Sequence, residues 1–315
     1  MAAKAGTRKT KKKSAVDPLS GVRLTHPDRV VYPDVGLTKR DVAEYYAAVA
    51  KWLLPHVADR TLSLVRCPAG IAGQCFYQKQ PPQGLPASVK QMKIEFKGTP
   101  SVGVYIEDAD GLLALVQFGV LEIHAWQSHV DTLERPDRVI FDLDPGPDVE
   151  WSRVIDTAFL VQEFLKHLKL TSFVKTTGGK GLHIVAPIAP QRSWDEVKDF
   201  CHGIANVITS ADPAHFAATM SKAARPGKIY LDYLRNERGS TAVAPYSTRA
   251  RAGAPVSMPL GWTELRRIKS GSAFTVENAL VHIKKRRRDP WDGYGRLKQR
   301  ISDAAIRSIG DLQRR

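Results

Sequence analysis

Two aspartates, Asp142 and Asp144, are the residues whose type and spacing most directly suggest chemistry. They follow the apolar residues 139–141 and precede a Pro-Gly-Pro segment at residues 145–147. Side chains two residues apart on a strand project from one face, so both carboxylates point the same way where the strand ends. Such a pair repels unless a cation lies between the groups, and hard oxygen ligands suit Mg²⁺ or Mn²⁺. Taken alone, the motif is more typical of a strand that exposes its acidic side chains to solvent.

A third carboxylate, Asp232, favours metal binding over simple exposure of the acidic pair to solvent. It ends a second segment that alternates in the manner of a strand, residues 228–232 with the sequence KIYLD. Acidic residues are uncommon in such segments. Phosphoryl transfer with two metal ions needs several carboxylates, because one ion activates an attacking 3′-hydroxyl while the other neutralises a triphosphate and its leaving group. We therefore predict that Asp142, Asp144 and Asp232 are catalytic residues that bind metal.

A glycine-rich turn is the second chemical feature. Residues 175–183 have the sequence KTTGGKGLH, which combines three glycines with Lys180 and His183. Glycines let backbone N–H groups approach phosphate oxygens, and Lys180 adds a positive charge. No Ser or Thr follows the Gly-Lys pair and a strand follows instead of a helix, so this is not a Walker loop. An ordinary hairpin turn with a surface histidine is the simpler alternative, but three nearby carboxylates favour a triphosphate site.

The elements that must position these residues mix strands and helices without a regular βαβ alternation. Helix N-caps are predicted at Thr38, Ser193 and Thr275, and an amphipathic helix over residues 154–165. The apolar residues 112–126 predict a mostly buried helix. Strands are predicted over residues 61–66, 138–141, 173–174, 182–185 and 228–234. The predicted class is α+β, with a mostly antiparallel sheet flanked by helices.

The composition of the chain suggests a class of binding partner and a cellular compartment. The chain has 315 residues and a net charge of +15, of which six positive charges fall within residues 1–13. The remaining excess of nine favours a polyanionic partner such as nucleic acid over charge that serves only solubility. The three cysteines include no CxxC pair and suggest no disulfide framework, so a reducing cytoplasm is expected. The sequence contains no secretory signal and no apolar run of membrane-spanning length.

Seven segments, in this order and spacing, resemble the polymerase domain of bacterial ATP-dependent DNA ligase D. That domain is the end-joining member of the archaeo-eukaryotic primase superfamily, and the resemblance spans about residues 20–305. The segments are residues 24–29 (LTHPDR), 74–79 (QCFYQK), 141–147 (FDLDPGP), 177–183 (TGGKGLH), 231–233 (LDY), 244–249 (APYSTR) and 289–291 (DPW). The resemblance implies a primase-like core over residues 21–305, between a basic tail or linker (residues 1–20) and a C-terminal tail (residues 306–315).

The resemblance also implies roles for individual residues. Asp142, Asp144 and Asp232 match the ligands of two metal ions, with Mn²⁺ preferred over Mg²⁺. The residues that match those holding the nucleoside triphosphate are Thr177, Lys180, His183, Arg249 and His124. The activity implied is addition of ribonucleotides, and less readily deoxyribonucleotides, to 3′ ends at gaps and double-strand breaks.

Contacts with DNA are implied in the same way. His26, Arg29 and Lys39 match a basic pocket for a downstream 5′-phosphate, although as isolated residues Arg29 and Lys39 read as solvated surface cations. Phe76 and Tyr77 match an aromatic pair that stacks on the template, which favours binding without demanding a sequence. Arg225 matches a position associated with bridging two DNA ends.

Two other functions are compatible with parts of the sequence. Paired acidic residues also serve metal-dependent nucleases and phosphoesterases, and the basic surface would also suit a non-catalytic adaptor that binds DNA ends. The partners expected from the resemblance are DNA ends, gapped DNA with a 5′-phosphate, the bacterial Ku protein and a DNA ligase. A monomer in the bacterial cytoplasm, associated with the nucleoid and not with a membrane, is expected.

Overall fold

The computed structural model describes residues 21–96, 98–219, 221 and 225–314. Within these ranges the strands form two six-stranded sheets and a small two-stranded one. The strands are β1 (Val30–Tyr32), β2 (Leu37–Thr38), β3 (Leu62–Arg66), β4 (Phe76–Gln78), β5 (Lys90–Phe96), β6 (Thr99–Tyr105), β7 (Val120–Ala125), β8 (Arg138–Pro145), β9 (Phe173–Thr176), β10 (Leu182–Pro187), β11 (Phe216–Ala217), β12 (Ile229–Asp232), β13 (Ala242–Val243) and β14 (Pro259–Leu260). The predicted basic tail, residues 1–20, lies outside the described residues.

The two large sheets are almost entirely antiparallel, in agreement with the predicted class. The first sheet has the order β11-β12-β8-β10-β9-β14, and only the β11–β12 pair is parallel. The second sheet has the order β13-β7-β3-β6-β5, with β4 also paired to β3. The helices that flank the sheets are α1 (Lys39–Val57), α2 (Ala109–Gln117), α3 (Trp151–His167), α4 (Trp194–Ala211), α5 (Trp262–Leu265), α6 (Val276–Lys285) and α7 (Asp303–Gln313).

The helix starts follow the predicted caps. Thr38, Ser193 and Thr275 each accept a hydrogen bond from a backbone N–H of the first turn, and each forms a capping box with the residue three positions on. Such caps satisfy N–H groups that have no partner inside the helix, and each contributes about 1 kcal/mol. The chain therefore begins α1, α4 and α6 where local sequence favours it.

One hydrophobic core joins both large sheets to the helices, and strand alternation places it opposite the acidic residues. Phe141 and Leu143 of β8 are fully buried in this core. Asp142 and Asp144 alternate with them and therefore project from the other face of the first sheet. Burying two large apolar side chains on one face stabilises β8 by several kcal/mol, which fixes the direction of the carboxylates.

The helix predicted over residues 112–126 is confirmed for residues 112–117 and wrong for the rest. Helix α2 ends at Gln117, Gly119 adopts a φ of 87°, and β7 begins at Val120. Gly119 permits this turn because a left-handed backbone costs glycine little. Strand β7 is buried on both faces, so its residues lack the polar–apolar alternation by which a strand is normally recognised.

Two further expectations differ from the structure. Residues 306–313 do not form a tail, because they belong to α7, which packs against α4 through the buried Ala305 and Ile309. The absence of a disulfide is contradicted by a bond between Cys67 and Cys75. These cysteines flank the paired residues Arg66 and Phe76 of the β3–β4 hairpin, so strand pairing brings together two residues that are eight apart in sequence. Among the described residues, no helix has the length and apolar character needed to cross a membrane.

Candidate nucleotidyl-transfer site

A row of titratable side chains crosses the first sheet. Asp232 of β12 lies opposite Asp142 of β8, Asp142 lies opposite His183 of β10, and His183 lies opposite Lys175 of β9. Residues directly opposite in an antiparallel sheet share a face, so these four side chains are neighbours. Strand register therefore unites two of the predicted metal ligands with the histidine of the glycine turn. Lys175, which is fully buried, was not predicted as part of this group.

Arg235 bridges two of the carboxylates. Its Nε lies 3.1 Å from Oδ2 of Asp142, and its Nη2 lies 3.1 Å from Oδ2 of Asp232. A short 3₁₀ helix, Leu234–Asn236, follows β12 and turns Arg235 back over the sheet. A cation is therefore held between two opposed, mostly buried carboxylates. Sequence reasoning missed Arg235, because an arginine three residues after an aspartate is common in any surface turn.

The ionisation of the carboxylates follows from burial and neighbouring charge. Burial opposes ionisation of Asp142, but His183, Arg235 and Lys175 together hold its pKa below the usual range. Burial and repulsion from Asp142 raise the pKa of Asp144 and Asp232, although Arg225 and Arg235 partly offset this. Adding positive charge would relieve this repulsion.

These carboxylates fit a divalent metal ion by their chemistry. Among the described residues, no three His, Cys, Asp or Glu side chains are gathered closely enough to enclose an ion. Asp142 and Asp232 instead share the guanidinium of Arg235, and Asp144 lies 3.4 Å from Nη1 of Arg225. The carboxylates thus already bind cationic groups, and their hard oxygens suit Mg²⁺ or Mn²⁺. Asp142, Asp144 and Asp232 would hold such an ion, which would supply positive charge to offset their mutual repulsion.

The glycine turn is organised by the hydroxyl of Thr177. Its Oγ1 accepts hydrogen bonds from the backbone N–H of Gly179 (3.2 Å) and of Gly181 (3.3 Å). Gly178 has a φ of 65°, which glycine adopts without strain. A Cβ at Gly181 would lie 2.0 Å from the carbonyl oxygen of Leu143, so only glycine fits between the turn and β8. The turn is thereby packed directly against the strand that carries Asp142 and Asp144.

His183 is held neutral beside this turn. Its Nε2 lies 3.4 Å from Oδ1 of Asp142, and its side chain is almost completely buried. Burial and the nearby charge of Lys175 lower the pKa of His183 to about 4. At neutral pH the imidazole is therefore uncharged, and it can donate or accept a single hydrogen bond per nitrogen.

His124, in β7 of the second sheet, and Arg249, in the loop that follows β13, reach the same place. Nη1 of Arg249 donates to the carbonyl oxygen of Thr177 at 2.5 Å, and its Nε forms a 3.0 Å ion pair with Glu122. His124 Nε2 lies 2.8 Å from the same carboxylate. These groups surround a cavity of about 330 Å³. Its charged and titratable lining residues are His124, Asp142, Asp144, Lys180, His183, Arg235, Arg249 and Arg251.

The predicted aromatic pair lies beside this cavity. Phe76 and Tyr77 are 40% and 53% exposed, so both are accessible instead of only one. Tyr77 OH lies 2.7 Å from Oγ1 of Thr241, and the Tyr77 ring meets the His124 ring edge-on at 5.7 Å. The exposed ring of Tyr77 therefore borders the polar cavity through Thr241 and His124, and it is a surface on which a base could stack.

The three residues predicted to bind a 5′-phosphate form a separate group. His26, Arg29 and Lys39 line a second cavity of about 180 Å³, together with Arg66 and the disulfide-bonded Cys67. Lys39 Nζ donates to Gln117 O (2.7 Å), Gln117 Oε1 (2.8 Å) and Thr25 O (3.1 Å). Burial and the charge of Arg29 lower the pKa of Lys39 to about 8. Arg225 belongs to neither cavity, since it pairs with Asp144 and lies over the ring of Tyr230.

Comparison with known proteins assigns the chain to a family. The family model described as "LigD, primase-polymerase domain" matches residues 38–291, which include the lining of the 330 Å³ cavity, Lys39 and all three aspartates, but not His26 and Arg29. The chain belongs to this family. It is therefore a primase-like nucleotidyltransferase domain, and its α+β fold is the primase-like one that the sequence predicted.

Individual relatives support the assignment. The multifunctional non-homologous end joining protein LigD of Pseudomonas aeruginosa is 38% identical over 307 residues, 97% of this chain and 36% of that protein. The protein of the same name from Mycolicibacterium smegmatis is 34% identical over 246 residues, 78% of this chain and 32% of that protein. The chain thus spans about a third of the length of these curated relatives.

A solved structure also matches. The polymerase domain of Mycobacterium tuberculosis ligase D, in complex with DNA, superposes with a TM-score of 0.80 at 29% identity. The match covers 87% of this chain and 97% of that domain. The two sheets described above are therefore arranged as in a polymerase domain that binds DNA.

Proposed function

We propose that this chain adds ribonucleotides or deoxyribonucleotides to 3′ ends at DNA gaps and double-strand breaks. The observation that carries the proposal is the meeting of Asp142, Asp144 and the glycine turn at one cavity of about 330 Å³, with Asp232 opposite Asp142 on the neighbouring strand. Carboxylates at one wall and cations at the other suit a metal-bound triphosphate, because each side neutralises one part of the reacting group. Family membership supports the same reaction class.

In this proposal Asp142, Asp144 and Asp232 hold two divalent ions, with Mn²⁺ preferred. When bound, the ions activate the 3′-hydroxyl and neutralise charge on the triphosphate. Asp142 is the best suited ligand because its pKa is low, so its carboxylate is charged at any physiological pH. Arg235 must move away from Asp142 and Asp232 to admit the ions, and it then becomes available to phosphate.

The triphosphate is held by groups on both sheets. Lys180 and Arg249 supply positive charge, and the backbone N–H groups of the turn organised by Thr177 face the same cavity. Charge-assisted hydrogen bonds to phosphate are about twice as strong as neutral ones. His183 and His124, both with lowered pKa values, contribute neutral hydrogen-bonding nitrogens.

The proposed DNA contacts lie around the nucleotide-binding cavity. Phe76 and Tyr77 stack on a template base, and His26, Arg29 and Lys39 receive a downstream 5′-phosphate in the separate basic cavity. Arg225 has a proposed role in bridging two ends, although its contact with Asp144 ties it to the metal site as well. The DNA-bound structure of the Mycobacterium tuberculosis domain supports DNA as the partner.

A templated single-nucleotide test examines the proposal directly. Purified protein is given a gapped duplex with one unpaired template base, Mn²⁺ and each of the four nucleotides in turn, as ribo- or deoxyribonucleotides. Preferential addition of the complementary nucleotide is expected, with ribonucleotides used at least as readily. Addition without regard to the template base would contradict addition directed by a template.

The wider setting follows from the relatives. Their names place LigD in non-homologous end joining, and we propose the same repair process here. The bacterial Ku protein and a DNA ligase activity are the proposed partners, acting in the cytoplasm at the nucleoid. The protein is proposed to act as a monomer on each DNA end.

The basic cavity gives a pH-dependent prediction. Burial lowers the pKa of Lys39 from 10.5 to about 8, so its charge is present below pH 8 and lost above it. A 5′-phosphate remains doubly charged over this range, since its second pKa is about 6. The preference for gapped DNA with a 5′-phosphate over a 5′-hydroxyl should therefore fall about tenfold between pH 7 and pH 9, measured by fluorescence anisotropy.

Lys39→Arg is the control, because its guanidinium stays charged and should preserve the preference. A preference that stays constant in the wild type would exclude Lys39 from the phosphate contact.

A further inference from the structure

We propose that Glu122 is a positioning residue that fixes Arg249 and His124 for binding of the nucleotide, an inference that rests on the proposed function. The side chain of Glu122 is only 7% exposed, and it lies in β7 two residues before His124. Neither composition nor motif singled it out, and a carboxylate beside a triphosphate site is electrostatically unfavourable by itself.

The contacts of Glu122 account for its presence. Oε2 of Glu122 lies 2.8 Å from Nε2 of His124 and 3.0 Å from Nε of Arg249. Oε1 accepts a 2.8 Å hydrogen bond from the backbone N–H of Ala250. One buried carboxylate therefore holds the side chain of Arg249, the backbone just after it, and the neighbouring histidine.

Arg249 is consequently fixed from two sides. Glu122, on the second sheet, forms an ion pair at its Nε without a well-aligned hydrogen bond, while the carbonyl oxygen of Thr177, in the glycine turn of the first sheet, accepts from its Nη1. The guanidinium spans the gap between the sheets at the wall of the 330 Å³ cavity. A flexible arginine loses side-chain entropy on binding phosphate, and this arrangement removes that cost beforehand.

His124 is fixed in one tautomer by the same group. Burial would raise the pKa of Glu122, but His124 and Arg249 lower it to about 2, so Glu122 is ionised and can only accept hydrogen bonds. Burial lowers the pKa of His124, which is therefore neutral. Its Nε2 must carry the proton shared with Glu122, and its Nδ1 is the unprotonated nitrogen.

The direction in which the nucleotide KM changes distinguishes two roles of Glu122, positioning of Arg249 and a simple effect of negative charge. Glu122→Gln keeps the size of the side chain and an acceptor for His124, but it cannot form the ion pair with Arg249. If Glu122 acted only as a negative charge, its removal would strengthen triphosphate binding and lower the nucleotide KM. Positioning predicts the opposite, a KM about tenfold higher with kcat changed less than threefold, because a charge-assisted phosphate contact is weakened.

Three variants make the test complete. Arg249→Ala and the double variant Glu122→Gln/Arg249→Ala form a thermodynamic cycle. Because Glu122 acts through Arg249, adding Glu122→Gln to Arg249→Ala should change KM less than twofold. Glu264→Gln is the matched control, since Glu264 also holds one arginine, Arg286, and one histidine, His282, away from this cavity. It should lower the melting temperature without changing KM.

The readouts are the nucleotide KM in primer extension, the dissociation constant of ATP with Mn²⁺ by calorimetry, and the tautomer of His124 by ¹⁵N NMR. We expect the wild type and Glu122→Gln to keep the Nε2–H tautomer, and Glu122→Ala to lose it. An unchanged or lowered KM and dissociation constant in Glu122→Gln, or full additivity with Arg249→Ala, would overturn the inference. A wild type that binds ATP but extends no primer would instead defeat the proposed function, while the calorimetric cycle still decides the role of Glu122.

Discussion

Replacing Asp142 with asparagine should lower the rate of nucleotide addition by at least about a thousandfold, equivalent to roughly 4 kcal/mol of transition-state stabilisation. Asp142 occupies the centre of the row of titratable side chains, opposite both Asp232 and His183. Asparagine has the same size but no charge, so the proposed metal ions lose their most acidic ligand. Metal ions in such sites supply several kcal/mol, and a neutral amide binds them weakly.

The measurement is single-turnover extension of a gapped primer, together with Mn²⁺ binding followed by electron paramagnetic resonance. Both the rate and the affinity for Mn²⁺ should fall in Asp142→Asn, while the melting temperature stays close to that of the wild type. Asp156→Asn is the control, because Asp156 is exposed on α3, away from the cavity. A variant at Asp142 that retains more than a tenth of the wild-type rate would remove Asp142 from the catalytic role.

Gly181→Ala is the second change with a large expected effect. The new methyl group would lie 2.0 Å from the carbonyl oxygen of Leu143, a distance at which backbone must shift. We expect the free energy of unfolding to fall by about 2–3 kcal/mol, typical of an overpacked interior. The shift separates β10 from β8 and moves His183 away from Asp142. A displacement of about 1 Å can reduce a rate a hundredfold, so a loss of at least that size is expected.

Thermal unfolding and primer extension measure the two effects. Gly295→Ala serves as the control, because a Cβ there meets no other atom within 4 Å. It should leave both the melting temperature and the rate nearly unchanged. Full activity in Gly181→Ala would mean that the close packing of the turn against β8 is not needed for the reaction.

Local sequence patterns predicted the parts of the site that depend on one segment. Strand alternation predicted that Asp142 and Asp144 share a face opposite Phe141 and Leu143. The capping residues predicted where α1, α4 and α6 begin. These features arise from interactions between residues a few positions apart, which are visible in any single sequence.

Features that depend on strand register and long-range packing could not be predicted. Glu122 is joined to Arg249, which lies 127 positions later in the sequence, and the prediction of a helix in place of β7 hid the fact that Glu122 and His124 share a strand face. The pairing of Cys67 with Cys75 likewise requires knowledge of the β3–β4 hairpin. Local sequence indicates which face of a strand a side chain lies on, but strand pairing and register determine which residue it contacts.

The resemblance supplied what physical patterns alone left open. On its residues alone, Lys39 was more typical of a solvated surface cation than of a phosphate ligand. The structure gives it three carbonyl partners and a lowered pKa in a cavity with His26 and Arg29. Lys39 is therefore not a fully solvated cation, but its three ammonium hydrogens are already donated to carbonyl oxygens, and its binding of a 5′-phosphate stays a prediction.

The length of a labelled primer strand tests the central claim most directly. The primer, annealed in a gapped duplex with a downstream 5′-phosphate, is incubated with the wild-type protein and Mn²⁺, with and without nucleoside triphosphates. We expect the wild-type protein to lengthen the strand when nucleotides are present and to leave it unchanged when they are absent. With Asp142→Asn the strand should stay unchanged under both conditions. Shortening of the strand when nucleotides are absent would identify a nuclease, and an unchanged strand under both conditions would identify a protein that only binds DNA ends; either result would contradict the account.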